Sequence, residues 1–318
     1  MRILPTLGIL TGLIMSPIAA FTADITGKGY RFIGADRSLA IVEADGAVAW
    51  KQPVSGTPHD LSMLPNGNIL VVLDNRRIVE LEAKTGKELW SYDSSKMNGN
   101  EGKKVEVHAI QRLDNGLTMI AESGPARIIE VDKDGVIKQQ IALKVDKPHP
   151  HRDTRLVRKL ASGNYLVCHE GDGVVREYDA KGTVVWDFAI PLFDKTPAGG
   201  HGPEAWGNQT YGAVRLANGN TLIGTGNGHG VIEVTAKREI VWHLKQGDLP
   251  GITFAWITTV QALPDGTVVI GNCHAGPENP QLIAVNREKQ VLWSYKNFEL
   301  FGNNLAITQV LDVPGLIR

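Results

Sequence analysis

Cysteine is nearly missing. The chain of 318 residues holds two, Cys168 and Cys273, which excludes the disulfide framework that staples many small exported domains. An excess of either charge is missing too. Lys and Arg number 33 against 34 Asp and Glu, for a formal net charge of −1. A nucleic-acid binder needs a basic stripe, and this balance argues against one. Beyond residue 20 no apolar stretch approaches the roughly 20 residues of a membrane span, so the mature chain is expected to contain no such span. Motifs of the common catalysts are also lacking. There is no Ser-centred nucleophile elbow and no His-Glu-x-x-His zinc helix. The Gly-rich run Gly226-Asn227-Gly228-His229-Gly230 lies between two predicted strands, so it is not a phosphate loop opening a helix.

What is present begins with a short leader. Arg2 supplies a positive start, Ile3 to Met15 is apolar and uncharged, and Ser16-Pro17-Ile18-Ala19-Ala20 offers small residues. This pattern reads as a secretory signal peptide over residues 1–23, placing the mature protein in the periplasm or outside the cell. No Cys lies near the expected cut, so no lipid anchor is expected.

The rest, residues 24–318, is one repeated phrase. Its copies begin at His59, His108, Arg155, Tyr211 and Thr258, spaced 49, 47, 56 and 47 residues apart. A period of about 40–50 residues built from short strands is the signature of a propeller, one blade per repeat. In the first copy His59 to Leu64 reads as strand A, Pro65-Asn66-Gly67-Asn68 as a tight turn, Ile69 to Leu73 as a buried strand B, Ile78 to Glu82 as strand C and Glu88 to Tyr92 as strand D. Asn-Gly tolerates the positive φ that such turns require. Strand D carries Trp90, matched by Trp186, Trp242 and Trp293 in later copies and replaced by Gln139 or Gln140 in the second. A large ring recurring at one place is a wedge between neighbouring sheets. The two ends hold the missing copy. Tyr30 to Ala35, Leu39 to Glu43 and Ala47 to Lys51 supply strands B, C and D, and Leu305 to Leu311 supplies strand A. The predicted fold is therefore all-β, a six-bladed propeller closed by N-terminal strands B-C-D plus a C-terminal strand A. Closure removes the free sheet edges of an open ring. Cys168 and Cys273 fall in blades two apart, too distant for a bridge, and are expected as buried free thiols.

Strand order sorts the histidines. D-to-A loops and B-to-C turns share one rim of the ring. His59 and His108 open strand A; His149, His151 and His201 fall in D-to-A loops; His169, His229 and His274 fall at or near B-to-C turns. Only His243, in strand D, lies elsewhere, so eight of nine histidines share a rim. Imidazoles gathered near one axis suit metal binding, group transfer or acid–base chemistry near neutral pH. Arg155 and Tyr211 hold the His59 position in the third and fourth blades. His59, His108 and Arg155 are the candidate catalytic residues. Tyr211, His169, His201, His229 and His274 are candidates for ligand binding. Two imidazoles, a guanidinium and a phenol suit an anionic ligand. The sequence names no cofactor, and a metal on His59, His108 and a third rim histidine matches no recognised spacing. The expected partner is a small molecule, anionic in character, or a protein.

Leu81-Glu82-Ala83-Lys84-Thr85-Gly86-Lys87-Glu88-Leu89-Trp90 resembles the repeat of the pyrroloquinoline-quinone-type propellers. His59 followed by Leu64-Pro65-Asn66-Gly67-Asn68 is also similar to bacterial arylsulfate sulfotransferases. The first resemblance implies the propeller fold. Six blades and the lack of adjacent cysteines depart from the quinone dehydrogenases of that superfamily and argue against a bound quinone. The second implies an enzyme in which a histidine accepts a sulfuryl group beside a cation, here His59 or His108 with Arg155. Two other expectations stand beside it, a binding propeller without catalysis and a metal-dependent lyase or lactonase.

Overall fold

The computed structural model describes residues 23–318. The leader reading for residues 1–23 thus lies, but for Ala23, outside the described residues. Six antiparallel sheets of short strands make six blades. In blade one the strands are Leu61–Met63, Ile69–Leu73, Arg77–Leu81 and Glu88–Asp93. Strand A is shorter than expected at its start. His59 and Asp60 precede it, because the Asp60 carboxylate turns back to accept from the Leu61 N–H and bonds across to Ile110 N. Blades two to five repeat the plan, and the expected strands fall within a few residues of those observed. Strands B and C are buried throughout, as continuous apolar runs predict, while strand D alternates at the outer edge.

Both chain ends build blade six. Strand A is Ile307–Val310, and it pairs antiparallel with Phe32–Ala35 in the register Phe32 to Val310 and Ala35 to Ile307. Ser38–Val42 and Val48–Pro53 complete the sheet. One strand was not foreseen. Asp24–Gly27 adds a fifth, outermost strand to blade five, pairing Gly27 with Trp293. It gives the ring a second tie between its beginning and its end. A short helix, Phe298–Phe301, links blade five to the last strand, and Asn297 caps it by accepting from Leu300 N. Among the described residues no helix is long and apolar enough to cross a membrane. Cys168 and Cys273 are free and buried.

The tryptophans wedge between blades and also reach across them. Trp90 Nε1 donates to the Lys133 carbonyl, Trp186 to Ala236 and Trp242 to Arg287, each on the next blade's C–D turn. Gln139 sits opposite Glu130 as Trp90 sits opposite Glu80, and its Nε2 donates to Ala180 O at 2.7 Å. The amide therefore takes over the indole's hydrogen bond without its bulk. A cation from the next blade ties the same joint. Arg112 bonds Glu80 and lies over Trp90, and Arg215 bonds Glu177 and lies over Trp186.

Candidate functional site

Strand A of each blade lines the central channel, and the residue five before the closing leucine of its A–B turn stands at the channel mouth. Around the ring this position is His59, His108, Arg155, Tyr211, Thr258 and Ala306. Five of the six line one cavity of about 270 Å³; His108 lies behind its wall, fully buried. The far end of the channel is blocked. Asp60 and Arg158 form a buried bidentate ion pair inside the ring, 2.7 and 3.0 Å. The last residue, Arg318, lays its guanidinium on the Leu61 carbonyl and Gln309 beside them. The mouth is therefore a blind pocket open on the histidine rim.

Arg155 is the cation of this pocket. Its Nε donates to the Glu170 carboxylate, an ion pair buried on both sides. Nη2 donates to His151 Nε2 at 3.0 Å. The guanidinium carbon lies 5.6 Å from the centre of the Tyr211 ring. Nη1 is buried and has no hydrogen-bond partner among the described residues. Glu170 is the counter-charge that holds Arg155 in place.

Three imidazoles and a carboxylate meet beside it. His59 and His108 ring centres are 4.4 Å apart, and His151 is 5.8 and 5.3 Å from them. Glu106 Oε2 lies 3.0 Å from His108 Nε2 and 2.7 Å from His151 Nδ1. His108 Nδ1 donates to the Thr154 carbonyl at 2.8 Å. Burial, helped by His108, Arg155 and His151, holds His59 well below the usual imidazole range. Burial and Arg155 bring His108 down to about 4. Burial alone would raise Glu106, but hydrogen bonds from His108 and His151 outweigh it and hold the carboxyl below its usual range. Among the described residues these four side chains form a group that could hold a metal ion: one ligand atom from each lies within 4.8 Å of all the others.

The opposite wall carries the pair His201 and His274, ring centres 5.1 Å apart, with His201 edge-on to Trp256 at 4.3 Å. Burial and His201 bring His274 down to about 4. Cys273 also faces the cavity, but burial pushes its thiol far up, so it is no thiolate nucleophile near neutral pH. Tyr211 donates to the His59 carbonyl at 3.1 Å, and burial raises its phenol.

The structure thus brings together His59, His108, Arg155, Tyr211, His201 and His274, and it separates two other candidates. His169 is fully buried with both ring nitrogens occupied: Nδ1 donates to Asp153 O at 2.7 Å and Nε2 pairs with the Tyr178 hydroxyl at 2.9 Å. His229 packs edge-on to Trp206. Neither lines the cavity. His149 also stays out, its ring accepting from His151 N. Sequence reasoning missed Glu106 and left His151 unranked. The signal for Glu106 was only its nearness to His108 in the sequence, because a register shift at His108 breaks the alternation of faces there.

Such a blade plan and blind mouth define a six-bladed β-propeller with a polar pocket at one end of its channel. The chain belongs to the family described as outer membrane protein assembly factor BamB, built from PQQ-type repeats, whose model matches residues 35–295. Among curated proteins none matches. Solved structures extend the likeness in shape. A protein of unknown function from Bacteroides caccae is similar at TM-score 0.71 and 20% identity, covering 87% of this chain and 97% of that one. Virginiamycin B lyase from Staphylococcus aureus, solved with quinupristin, is similar at TM-score 0.52 and 14% identity, covering 86% and 99%. The WD40 propeller of Doa1 is similar at TM-score 0.53 and 14% identity, covering 76% and 71%. Identities this low carry the fold alone.

Proposed function

We propose that this protein is an exported binding propeller that captures a small anionic molecule in the blind mouth of its channel. One observation carries the reading: Arg155 is the cation lining the cavity, and its buried Nη1 makes no hydrogen bond among the described residues. A buried donor left unpaired is costly, and an oxyanion is the partner that satisfies it best. Burial lowers His59, His201 and His274 below the usual imidazole range, so these rings line the cavity as neutral donors or acceptors. A blind cavity of about 270 Å³ favours a small molecule over a protein segment. Export rests on the leader pattern of residues 1–23.

Calorimetry with inorganic sulfate, phosphate and an aryl sulfate is expected to give saturable binding to the wild type. Arg155→Met paired with Glu170→Gln, which removes both charges together, is expected to abolish it. Equal binding by that pair of substitutions would sink the reading.

A second reading, transfer of a sulfuryl group from an aryl sulfate to His59, is supported by the neutral His59 ring in the cavity wall. Release of phenol by the wild type and its loss in His59→Ala is the expected result. No turnover by the wild type on aryl sulfates, lactones and esters would remove the enzymatic readings and leave binding.

A further inference from the structure

The geometry points to a divalent transition-metal centre formed by His59, Glu106, His108 and His151 in the wall of the channel mouth. It goes beyond anion capture and does not depend on it, because Arg155 is not among the ligands. Three observations support it.

The first is orientation. The Thr154 carbonyl can only accept, so His108 Nδ1 carries a proton and Nε2 is the nitrogen turned toward Glu106, 3.0 Å from its Oε2. An imidazole held through one nitrogen by a backbone carbonyl, with the other aimed at a shared point, is the arrangement that outer-shell hydrogen bonds give to metal-bound histidine. His169 supplies the contrast inside the same fold. Its Nδ1 is also held by a carbonyl, but its Nε2 is taken by the Tyr178 hydroxyl, a neutral donor, and no second ligand faces it.

The second is convergence. The ligands come from the segment just before strand A of blade one, strand A of blade two and the loop leading to blade three, yet one ligand atom from each lies within 4.8 Å of all the others. Metal–ligand bonds of about 2.0–2.2 Å reach across that span with small side-chain movements. Glu106 and His108 meet on the strand Glu106–Arg112, where the register shifts at His108. His151 Nε2 accepts from Arg155 at 3.0 Å and Nδ1 lies 2.7 Å from Glu106 Oε2, so ligation by this ring displaces one of these two hydrogen bonds.

The third is the donor set. Three imidazoles and one carboxylate suit zinc and its neighbours in the first transition row; magnesium and calcium prefer oxygen alone. His59 and His151 both line the cavity, so the ion would border the space in which a ligand sits.

The test uses the full chain, stripped with a chelator and dialysed. Titration with Zn²⁺ is expected to show one tight site per chain, and Co²⁺ is expected to give a visible absorption band from nitrogen and oxygen ligation. Glu106→Gln and His151→Ala are each expected to weaken Zn²⁺ binding by at least about tenfold. His243→Ala, on the outer strand D against Phe193, is expected to leave it unchanged. Circular dichroism confirms that each variant is folded, and His151→Gln replaces His151→Ala if the latter is not. Lack of a one-to-one site in the wild type, or equal affinity across all variants, overturns the centre. Sulfate titration of the stripped protein separates this result from the anion reading. Sulfate binding without any metal site overturns only the centre, and a metal site without sulfate binding overturns only the anion reading.

Discussion

His169 shows how one residue type serves two ends in this chain. Fully buried, hydrogen-bonded at both nitrogens and held at about 4 by burial and Arg176, it is a neutral structural imidazole. His108 is equally buried and equally depressed, but its free nitrogen meets a carboxylate instead of a hydroxyl. The depressed values make stability depend on acidity. A histidine whose folded value lies below that of the unfolded chain, about 6.5, gains its proton only on unfolding. Its contribution is complete above pH 6.5 and is lost as pH falls toward 4. Asp36, raised to about 6 by burial, acts in the opposite sense between its unfolded value and 6, but the depressed imidazoles outnumber it. Urea titrations from pH 7 to 4 are therefore expected to show stability falling with acid. In His169→Gln the slope is expected to be shallower by up to about 1.4 kcal/mol per pH unit, the share of one proton. An unchanged slope would show that His169 does not titrate on unfolding.

At the level of the element, the last strand matters most. Ile307–Val310 contributes strand A to a blade whose other three strands begin some 270 residues earlier in the chain, at Phe32. Without it the hydrogen-bonding edge of Phe32–Ala35 is bare and the channel loses one of its six walls. Ala306, just before the strand, also lines the pocket. A chain ending at Asn304 is expected to lose cooperative urea unfolding and to elute as aggregate in size-exclusion chromatography. Adding a peptide of residues 305–318 is expected to restore part of the monomer peak. A truncated chain that unfolds with the full-length midpoint would mean that the outer strand Asp24–Gly27 closes the ring unaided. Along the loops, the fold makes choices that strand patterns do not carry. His151 turns inward through its bonds to Glu106 and Arg155, whereas His149, two residues earlier, stays exposed.

For the molecule as a whole, the channel is a polar axis with one end closed. Asp60 accepts from Leu61 N, Ile110 N and both terminal nitrogens of Arg158. One carboxylate thus ties blades one, two and three. Removing one partner of such a pair leaves the other charged in a low-dielectric interior, at a cost of about 3–5 kcal/mol. Asp60→Asn is expected to lower stability to urea by that order, and Asp60→Asn with Arg158→Met to recover most of the loss. If the single substitution is silent, the axis is wetter than its burial implies. The blind end also means that ligands reach the pocket from the histidine rim alone, so substitutions on the C–D turns of the other rim, such as Lys133 and Lys181, leave binding untouched.

The strand pattern, the Asn-Gly and Asp-Gly turns, the Trp period and the split sixth copy determined the blade count, the closure and the rim on which the histidines sit. These are local features: a turn needs its own residues to take positive φ, and a buried strand needs its own side chains to be apolar. The pocket's membership was decided only in three dimensions. His151 entered it, with Glu106 and Glu170 bonded behind its lining, and His169 and His229 left it, because irregular loops have no period to read and take their shape from partners that folding delivers from other blades. The repeat places a side chain at the mouth; the neighbouring blade determines whether it faces the cavity, a hydroxyl or a carboxylate.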